Sequence, residues 1–157
     1  MPNRPALVGA GVTGLYASER VGPAQRALAA SVMEAMGAVV WLKSEDDLDV
    51  VTALSGSGPA YFFLLGEMMA EAAMRLGLEP QTARLLTIET LHGAGALAHA
   101  SDGDLARLRA EVTSKGGTTA AALQVLEEMG DTVARAVAAA AHRSRELAAQ
   151  FGTESTR

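Results

Sequence analysis

The first 43 residues contain two short apolar runs separated by a segment of helical periodicity. Val12–Tyr16 is rich in β-branched and aromatic residues and predicts a strand, and Ala38–Leu42 predicts a second, buried strand. Residues 22–36 between them predict an amphipathic helix. That helix is indicated by a proline in its first turn, three apolar residues on one face and a glycine that stops it: Pro23, Leu28, Val32, Met36 and Gly37.

Strand, helix and strand in this order form a βαβ unit, but two strands are too few for a stable sheet. We therefore expect residues 1–43 to be the remnant of a Rossmann-type α/β domain. The acidic stretch Lys43–Asp49 marks the end of that domain.

Beyond this boundary, every periodic segment predicts a helix. A short helix over Asp46–Leu54 is expected to break at a Ser-Gly-Ser-Gly-Pro run, after which Ala60–Leu76 predicts a long helix that is buried on most sides. The polar positions of this long helix lie four residues apart on one stripe, and three charges disfavour a membrane span: Glu67, Glu71 and Arg75.

The remaining segments complete a helical domain. Pro80 opens a helix that runs to about Ala100, and a last long helix is expected to begin at an Asp131 cap. The predicted fold class is therefore mostly α: an all-helical domain over residues 44–157, preceded by the βαβ remnant of residues 1–43.

Composition excludes several classes of function. Hydrophobic residues make up 49% and charged residues 20% of the chain, as in a globular protein. A net charge of −5 argues against a nucleic-acid partner, because phosphate binding draws on surplus Lys and Arg. The absence of cysteine excludes disulfides, thiolate metal sites and cysteine nucleophiles. The N-terminal residues lack a signal-peptide pattern, so we expect a cytoplasmic protein with no membrane partner.

Three familiar motifs are incomplete here. Gly9–Gly14 matches G-x-G-x-x-G, but a proline turn precedes it and strand-like residues follow, whereas the dinucleotide fingerprint needs a strand before it and a helix inside it. Ser57 lies between glycines without the full nucleophile-elbow pattern. His92 and His99 could share a helix face, yet no carboxylate pattern completes a metal site, so no metal is expected.

The stretch Thr113–Thr119, Thr-Ser-Lys-Gly-Gly-Thr-Thr, is the best candidate for chemistry. Its adjacent glycines allow a positive φ and close backbone approach. The threonines at the start of the next helix can cap that helix while its first amide N–H groups stay unpaired. Those amides, the helix dipole and Lys115 together predict a seat for a small anion such as a carboxylate. An ordinary glycine-containing helix connection has the same pattern, so the loop alone leaves both interpretations open.

Three stretches in register resemble one family, the pyrroline-5-carboxylate reductases of proline biosynthesis. The family shows a Met-Pro-Asn-Thr-Pro-Ala turn, a Ser-Gly-Ser-Gly-Pro-Ala-Tyr helix start and a Thr-Ser-(Pro or Lys)-Gly-Gly-Thr-Thr loop. The corresponding stretches here are Met1–Ala6, Ser55–Tyr61 and Thr113–Thr119, and their order and spacing also agree. The resemblance covers residues 1 to about 149.

The resemblance implies hydride transfer from NADPH or NADH to the C=N bond of 1-pyrroline-5-carboxylate, giving L-proline. It implies a homodimer of intertwined helical domains, open to higher assembly, with an active site between one subunit's nucleotide domain and helices that include the partner's. It also implies roles for the loop: Ser114, Gly117 and Thr118 would hold the substrate carboxylate, and the Thr119 hydroxyl would bond the ring nitrogen as the catalytic donor.

Gly116 belongs to the same substrate-binding loop. On the cofactor side, the resemblance implies that Pro2 and Asn3 lie beside the nicotinamide. Arg4 departs from the family pattern by replacing the usual threonine of the turn with a bulky cation.

A second departure is the lack of the family's N-terminal strand and phosphate-binding glycine loop, as in an N-terminally truncated enzyme. Without that loop the pyrophosphate has no cradle, so we expect this chain alone to bind NADPH weakly or not at all.

Two alternatives to the reductase remain open. One is a non-catalytic dimerisation module that keeps the helical fold and has lost the reaction. The other is a related β-hydroxyacid or imine reductase, for which a catalytic lysine on the long helix would be expected, and Ala60–Leu76 contains none.

Overall fold

The structure, a computed structural model, describes residues 1–101 and 103–154, the last three by their backbone only. The chain forms two compact units. The sheet unit comprises Met1–Ala60 and the chain from Val133 onward, and the helical unit comprises Tyr61–Thr132. The predicted division between residues 43 and 44 stays a prediction, and residues 102 and 155–157 of the second predicted domain lie outside the described residues.

The predicted βαβ unit is confirmed. Strand β1 (Gly11–Leu15) leads to helix α1 (Pro23–Glu34) and then to strand β2 (Gly37–Trp41). The two strands pair in parallel, with Gly11 opposite Gly37, and they form the sheet of the described chain. Before β1, a 3₁₀ turn over Arg4–Val8 follows the Met-Pro-Asn start.

The expectation that the second strand is buried was wrong. Val40 is 50% exposed and Trp41 is 38% exposed, although the guanidinium of Arg26 from α1 lies 4.8 Å from the centre of the indole ring. Parallel strands become buried on both faces only when helices cover both faces of the sheet. In the described chain, α1 is the crossover helix of this sheet, and apolar periodicity alone cannot show which faces are covered.

The predicted break before the long helix is replaced by a π-helical turn. Helix α2 (Asp47–Val51) continues into a π turn over Thr52–Gly56, and α3 (Gly58–Arg75) begins two residues later. Ser57 N–H donates to the carbonyl of Thr52 at 2.8 Å, the five-residue spacing of a π turn. The glycines and the proline therefore widen the helix here without ending it. By length and composition the stretch Asp47–Arg75 would be able to cross a membrane.

Helix α4 (Pro80–Ala100) has the predicted bounds. Its N-cap is Glu79, whose carboxylate accepts the Thr82 N–H at 2.8 Å. Hydrogen bonds from the backbone of Gln81 and Thr82 lower the pKa of Glu79, because they stabilise the ionised carboxylate. Gly66 of α3 is the close-approach point of the two helices: a Cβ there would lie 3.4 Å from Cγ2 of Thr87 in α4.

The last helix begins earlier than predicted. After α5 (Leu105–Glu111) and α6 (Thr118–Leu126), a 3₁₀ turn over Glu127–Met129 runs directly into α7 (Gly130–Glu154). The prediction of an Asp131 cap was wrong, because the chain stays helical through Gly130, whose φ is −53°. Within the sheet unit, Ser144 Oγ on α7 donates to Asp49 Oδ1 on α2 at 2.6 Å.

The apolar residues of the helices are largely uncovered in the single chain. Among the described hydrophobic residues, Ala53, Ala83 and Ala141 are buried, whereas Phe63 on α3 is 63% exposed and Ile88 on α4 is 55% exposed. The chain exposes 11789 Å². A compact monomer of this size would expose about 7,500 Å². The predicted mostly α fold class is confirmed, but its apolar surface is not buried within one copy.

Candidate active site

A tight turn connects α5 to α6 and shapes the Thr113–Thr119 loop. Gly117 N–H donates to the carbonyl of Ser114 at 3.0 Å, which closes a four-residue turn. The third residue of the turn, Gly116, has a φ of +72°. This left-handed conformation is open to glycine at little cost, so the first glycine of the pair is required by the turn itself.

The second glycine, Gly117, is the N-cap of α6, with φ −81° and ψ 175°. The expected threonine cap was wrong: Thr118 is already helical, and no side chain caps this end. The first helical hydrogen bond runs from Ala121 N–H to the Gly117 carbonyl at 3.2 Å. In the described part of the chain, the N–H groups of Thr118, Thr119 and Ala120 therefore have no backbone partner.

Ser114 lies directly against the entrance of α6. A Cβ built on Gly117 would be 2.3 Å from Ser114 Oγ and 3.2 Å from the Ser114 carbonyl oxygen. The space that a side chain would occupy at position 117 therefore holds the Ser114 hydroxyl. One short turn thus brings a hydroxyl and three free amides to the positive end of a helix.

The charges around the loop favour an anion. Lys115 is exposed and has no carboxylate within ion-pairing distance among the described residues. The Thr113 hydroxyl is already used in a hydrogen bond to the preceding helix, since its Oγ1 donates to the carbonyl of Arg109 at 2.6 Å. Thr118 is exposed and Thr119 is half-buried, and neither hydroxyl has a hydrogen-bond partner in the described chain. The loop therefore offers free donors and one free cation.

Pro2 and Asn3 belong to the sheet unit, so the structure groups them apart from the loop. Asn3 Nδ2 donates to the carbonyl of Ser55 at 3.1 Å, and Val12 N–H donates to Asn3 Oδ1 at 3.0 Å. Asn3 therefore connects the Met-Pro-Asn turn with both β1 and the π turn before α3. Sequence reasoning missed Ser55 as a partner, although Pro59 four residues later was the available signal: a proline supplies no helical N–H.

The Gly9–Gly14 motif does not form a phosphate loop. Its second half is strand β1, and the N–H of Gly14 donates to the carbonyl of Met1 at 3.1 Å. A phosphate loop instead opens a helix whose free N–H groups face the phosphate. No cluster of three or more His, Asp or Glu side chains suited to a metal was found among residues that the structure describes.

Comparison with protein families gives one match. Residues 45–147 match the family described as pyrroline-5-carboxylate reductase dimerisation. Two curated relatives are both named pyrroline-5-carboxylate reductase. The protein from Pseudomonas aeruginosa is 47% identical over 154 residues, which are 97% of this chain and 56% of that protein. The protein from Mycobacterium tuberculosis is 44% identical, and the aligned region covers 94% of this chain and 56% of that protein.

Solved structures agree with this assignment. A pyrroline-5-carboxylate reductase from Coxiella burnetii superposes with a TM-score of 0.90 at 48% identity, over 94% of this chain and 55% of that one. The Plasmodium falciparum pyrroline carboxylate reductase with NADP bound has a TM-score of 0.82 at 32% identity, over 93% and 60%. The chain spans about half the length of the curated relatives it matches. It belongs to the pyrroline-5-carboxylate reductase family, whose dimerisation domain is matched by residues 45–147.

Proposed function

We propose that this chain carries the substrate-binding half of a pyrroline-5-carboxylate reductase, which reduces 1-pyrroline-5-carboxylate to L-proline with NADPH or NADH. The observation that carries the proposal is the uncapped start of α6. Three N–H groups there have no backbone partner in the described chain, and the Ser114 hydroxyl and Lys115 lie on the same turn. Such an arrangement suits a carboxylate, which is the charged group of this substrate.

In this proposal, the carboxylate lies against Gly117 and accepts hydrogen bonds from the free N–H of Thr118 and from the Ser114 hydroxyl, while the Gly117 N–H stays bonded to the Ser114 carbonyl. Gly116 shapes the turn. Thr119, one residue further into α6, donates its hydroxyl hydrogen to the ring nitrogen. Two contacts on the carboxylate and one on the ring nitrogen fix the orientation of the ring, so the imine carbon presents a defined face. When bound, a nicotinamide would supply a hydride to that carbon, and the ring nitrogen would take up one proton through the Thr119 hydroxyl, with solvent as its final source, as the C=N bond becomes C–N.

The cofactor is only partly accommodated by the described residues. The proposal puts Pro2 and Asn3 beside the nicotinamide, with Arg4 next to them as an exposed cation. The described residues offer the pyrophosphate no cradle, because the glycine-rich segment is part of β1. We therefore expect the chain alone to bind NADPH weakly or not at all, and we derive no further step through the cofactor.

Binding of L-proline tests the carboxylate seat directly. In amide NMR spectra of the chain, L-proline should shift the signals of residues 114–120 in a saturable way. Pyrrolidine, which has the same ring without the carboxylate, should leave them unchanged. Replacing Thr119 by valine should preserve carboxylate-dependent binding but weaken it by about threefold to tenfold, the effect of one lost hydrogen bond. Shifts confined to another part of the chain would contradict the proposal.

A non-catalytic dimerisation module remains the second candidate, because the glycine-rich segment of the described chain forms strand β1 and not a phosphate loop. Titration of NADPH fluorescence, combined with an assay for proline formation, separates the two functions. Because the chain alone is expected to bind NADPH weakly or not at all, both measurements use the chain joined to the nucleotide-binding segment of a matched relative. Saturable binding with turnover in that fusion supports the reductase. A stable dimer that forms no proline supports the module.

We also propose that the active form is a cytoplasmic homodimer, open to further assembly, without a membrane or nucleic-acid partner. The exposed surface of one chain exceeds that expected for a compact monomer by about 4,000 Å². Obligate homodimers bury about 2,000–5,000 Å² or more in total over both partners, so the excess is large enough for such an interface. The polar stripe of α3, namely Glu67, Glu71 and Arg75, would face lipid at a high cost in a membrane span. A second copy of the chain would therefore cover the apolar faces of α3 and α4 at a lower cost than lipid.

The dimer predicts a specific effect of charge on α4. Light scattering coupled to size exclusion should give twice the chain mass without detergent. Replacing the exposed Ile88 by aspartate should lower that mass towards a monomer or cause aggregation, because an unpaired charge is then buried at the interface. The conservative Ile88→Val change should keep the dimer. A well-folded monomer in the parent chain would contradict the proposal.

A further inference from the structure

Pro59 removes a hydrogen-bond donor at the entrance of α3. In a regular helix the carbonyl of Ser55 would accept the N–H of the residue four positions later, and proline has none. The neighbouring N–H groups are used elsewhere: Ser57 N–H donates to Thr52, and Ala60 N–H donates to Ser57 at 3.0 Å. The Ser55 carbonyl therefore needs a donor from outside the helix.

Asn3 supplies that donor. Its Nδ2 donates to the Ser55 carbonyl at 3.1 Å, and its Oδ1 accepts the Val12 N–H at 3.0 Å, so both ends of the amide are used. Both bonds are partly buried, and the bond to Ser55 joins residues 52 positions apart in sequence. The Asn3 side chain thus ties the Met-Pro-Asn turn to β1 on one side and to the π turn on the other.

Close packing surrounds this connection. A Cβ on Gly56 would lie 2.9 Å from Cε of Met1, and a Cβ on Gly14 would lie 2.8 Å from Cγ1 of Val51. Two motifs about 50 residues apart are therefore in van der Waals contact, and the position of one depends on the other. A shift of the π turn would therefore disturb both this packing and the hydrogen bond from Asn3 to Ser55.

We propose that Asn3 is a positioning residue: it replaces the helical donor that Pro59 lacks, and so holds the Met-Pro-Asn turn in place. This goes beyond the cofactor-side role of the turn, because Asn3 then acts through the turn and not by direct contact of its amide with the nicotinamide. The effect on turnover rests on the proposed reductase function. The hydrogen-bond coupling between Asn3 and Pro59 does not.

A double-mutant cycle in the chain tests the coupling by thermal unfolding at one protein concentration. Asn3→Ala should lower the midpoint by about 6 °C, since a partly buried carbonyl loses its donor and a partly buried N–H loses its acceptor. In the Pro59→Ala background, the new N–H can serve Ser55, and the loss should shrink to about 3 °C. Arg4→Ala, which alters the exposed neighbouring side chain, should shift the midpoint by about 1 °C or less in both backgrounds.

A measurement on the folded parent keeps the proposal testable if Asn3→Ala fails to fold. The side-chain amide protons of Asn3 should exchange with solvent at least about tenfold more slowly than those of the exposed Gln124. This protection should fall in Pro59→Ala, where Ser55 has a competing donor. Equal losses of stability in both backgrounds, or unprotected Asn3 protons, would overturn the positioning role.

Steady-state kinetics measures a quantity, kcat, that a purely structural role of Asn3 would leave unchanged. If Asn3 positions the turn, Asn3→Ala should lower kcat by about tenfold with the NADPH KM changed by about twofold or less, and Pro59→Ala should restore part of kcat. Direct contact with the nicotinamide predicts a raised KM with no rescue, and that result would overturn the proposal. Because the chain alone is expected to bind NADPH weakly or not at all, these kinetics are measured on the chain joined to the nucleotide-binding segment of a matched relative. Absence of turnover in that parent fusion would count against the reductase function, while the unfolding cycle would still decide the role of Asn3.

Discussion

Replacing Gly37 by alanine should destabilise the chain by about 3 kcal/mol or more, an effect of the size that backbone strain combined with a steric clash produces. Gly37 has a φ of +137°, a conformation that side-chain-bearing residues rarely adopt. A Cβ at this position would lie 2.0 Å from the carbonyl oxygen of Gly11 and 2.6 Å from its N and C atoms. These are backbone atoms of the paired strand, so relief requires the two strands to separate.

Denaturant unfolding at one fixed protein concentration measures this effect, because the stability of an associating chain depends on concentration. Gly22→Ala is the matched control within the same βαβ unit. Gly22 has a φ of −72°, and a Cβ there would meet its nearest neighbour, Gln25 Oε1, at 3.9 Å. Its replacement should cost less than about 1 kcal/mol. A Gly37→Ala chain as stable as this control would show that the strand pairing tolerates the added methyl group.

Replacing Gly117 by alanine should lower the affinity for L-proline by more than about tenfold. The free energy of unfolding of the chain should stay nearly unchanged. The backbone angles of Gly117 suit any residue, so the only backbone opposition to the change is a Cβ contact of 3.2 Å with the Ser114 carbonyl oxygen, which a shift of a few tenths of an ångström relieves. The new Cβ would lie 2.3 Å from Ser114 Oγ, the tip of a flexible side chain that can rotate away. The substitution therefore displaces the hydroxyl and fills the entrance of α6 with a methyl group, which removes the seat without unfolding the loop.

Two neighbouring substitutions separate the causes of that loss. Ser114→Ala removes the hydroxyl but leaves the amides open, so binding should weaken only by about threefold to tenfold. Gly116→Ala meets no atom within 4 Å but strains a turn residue whose φ is +72°, so it should lower stability more than Gly117→Ala does. The measurements are proline titration by NMR and denaturant unfolding. Unchanged proline affinity in Gly117→Ala would contradict the proposed seat.

The helices and strands were largely predictable because local periodicity determines them. Pro80 indicated the start of α4, and two apolar runs separated by a helical segment indicated the βαβ unit. The structure confirms both predictions. The predictions were wrong where the local sequence is compatible with two backbone conformations. The Ser-Gly-Ser-Gly-Pro run was predicted to break the helix, but a π turn absorbs it, because distant partners such as Asn3 stabilise the widened backbone.

The candidate site was predictable to a similar extent. The paired glycines indicated a loop that opens a helix, and the structure shows that each glycine has its own reason: a positive φ at Gly116 and the space for Ser114 at Gly117. The threonine cap was not borne out, since Thr118 already has a helical conformation. Residue types alone do not show which residue of Gly-Gly-Thr-Thr is the N-cap, because that choice depends on the register of the preceding turn.

Residue types and short spacings were enough to indicate the family, the helical class and the loop that holds the candidate donors. Three features became visible only in the folded chain: Asn3 donates to the carbonyl of Ser55, Ser114 fills the space beside Gly117, and β2 and the faces of α3 and α4 stay uncovered. The reason is physical: a hydrogen bond between residues 52 positions apart, or the cover of an apolar face, depends on how segments meet in space. Local periodicity carries no information about such contacts between distant segments.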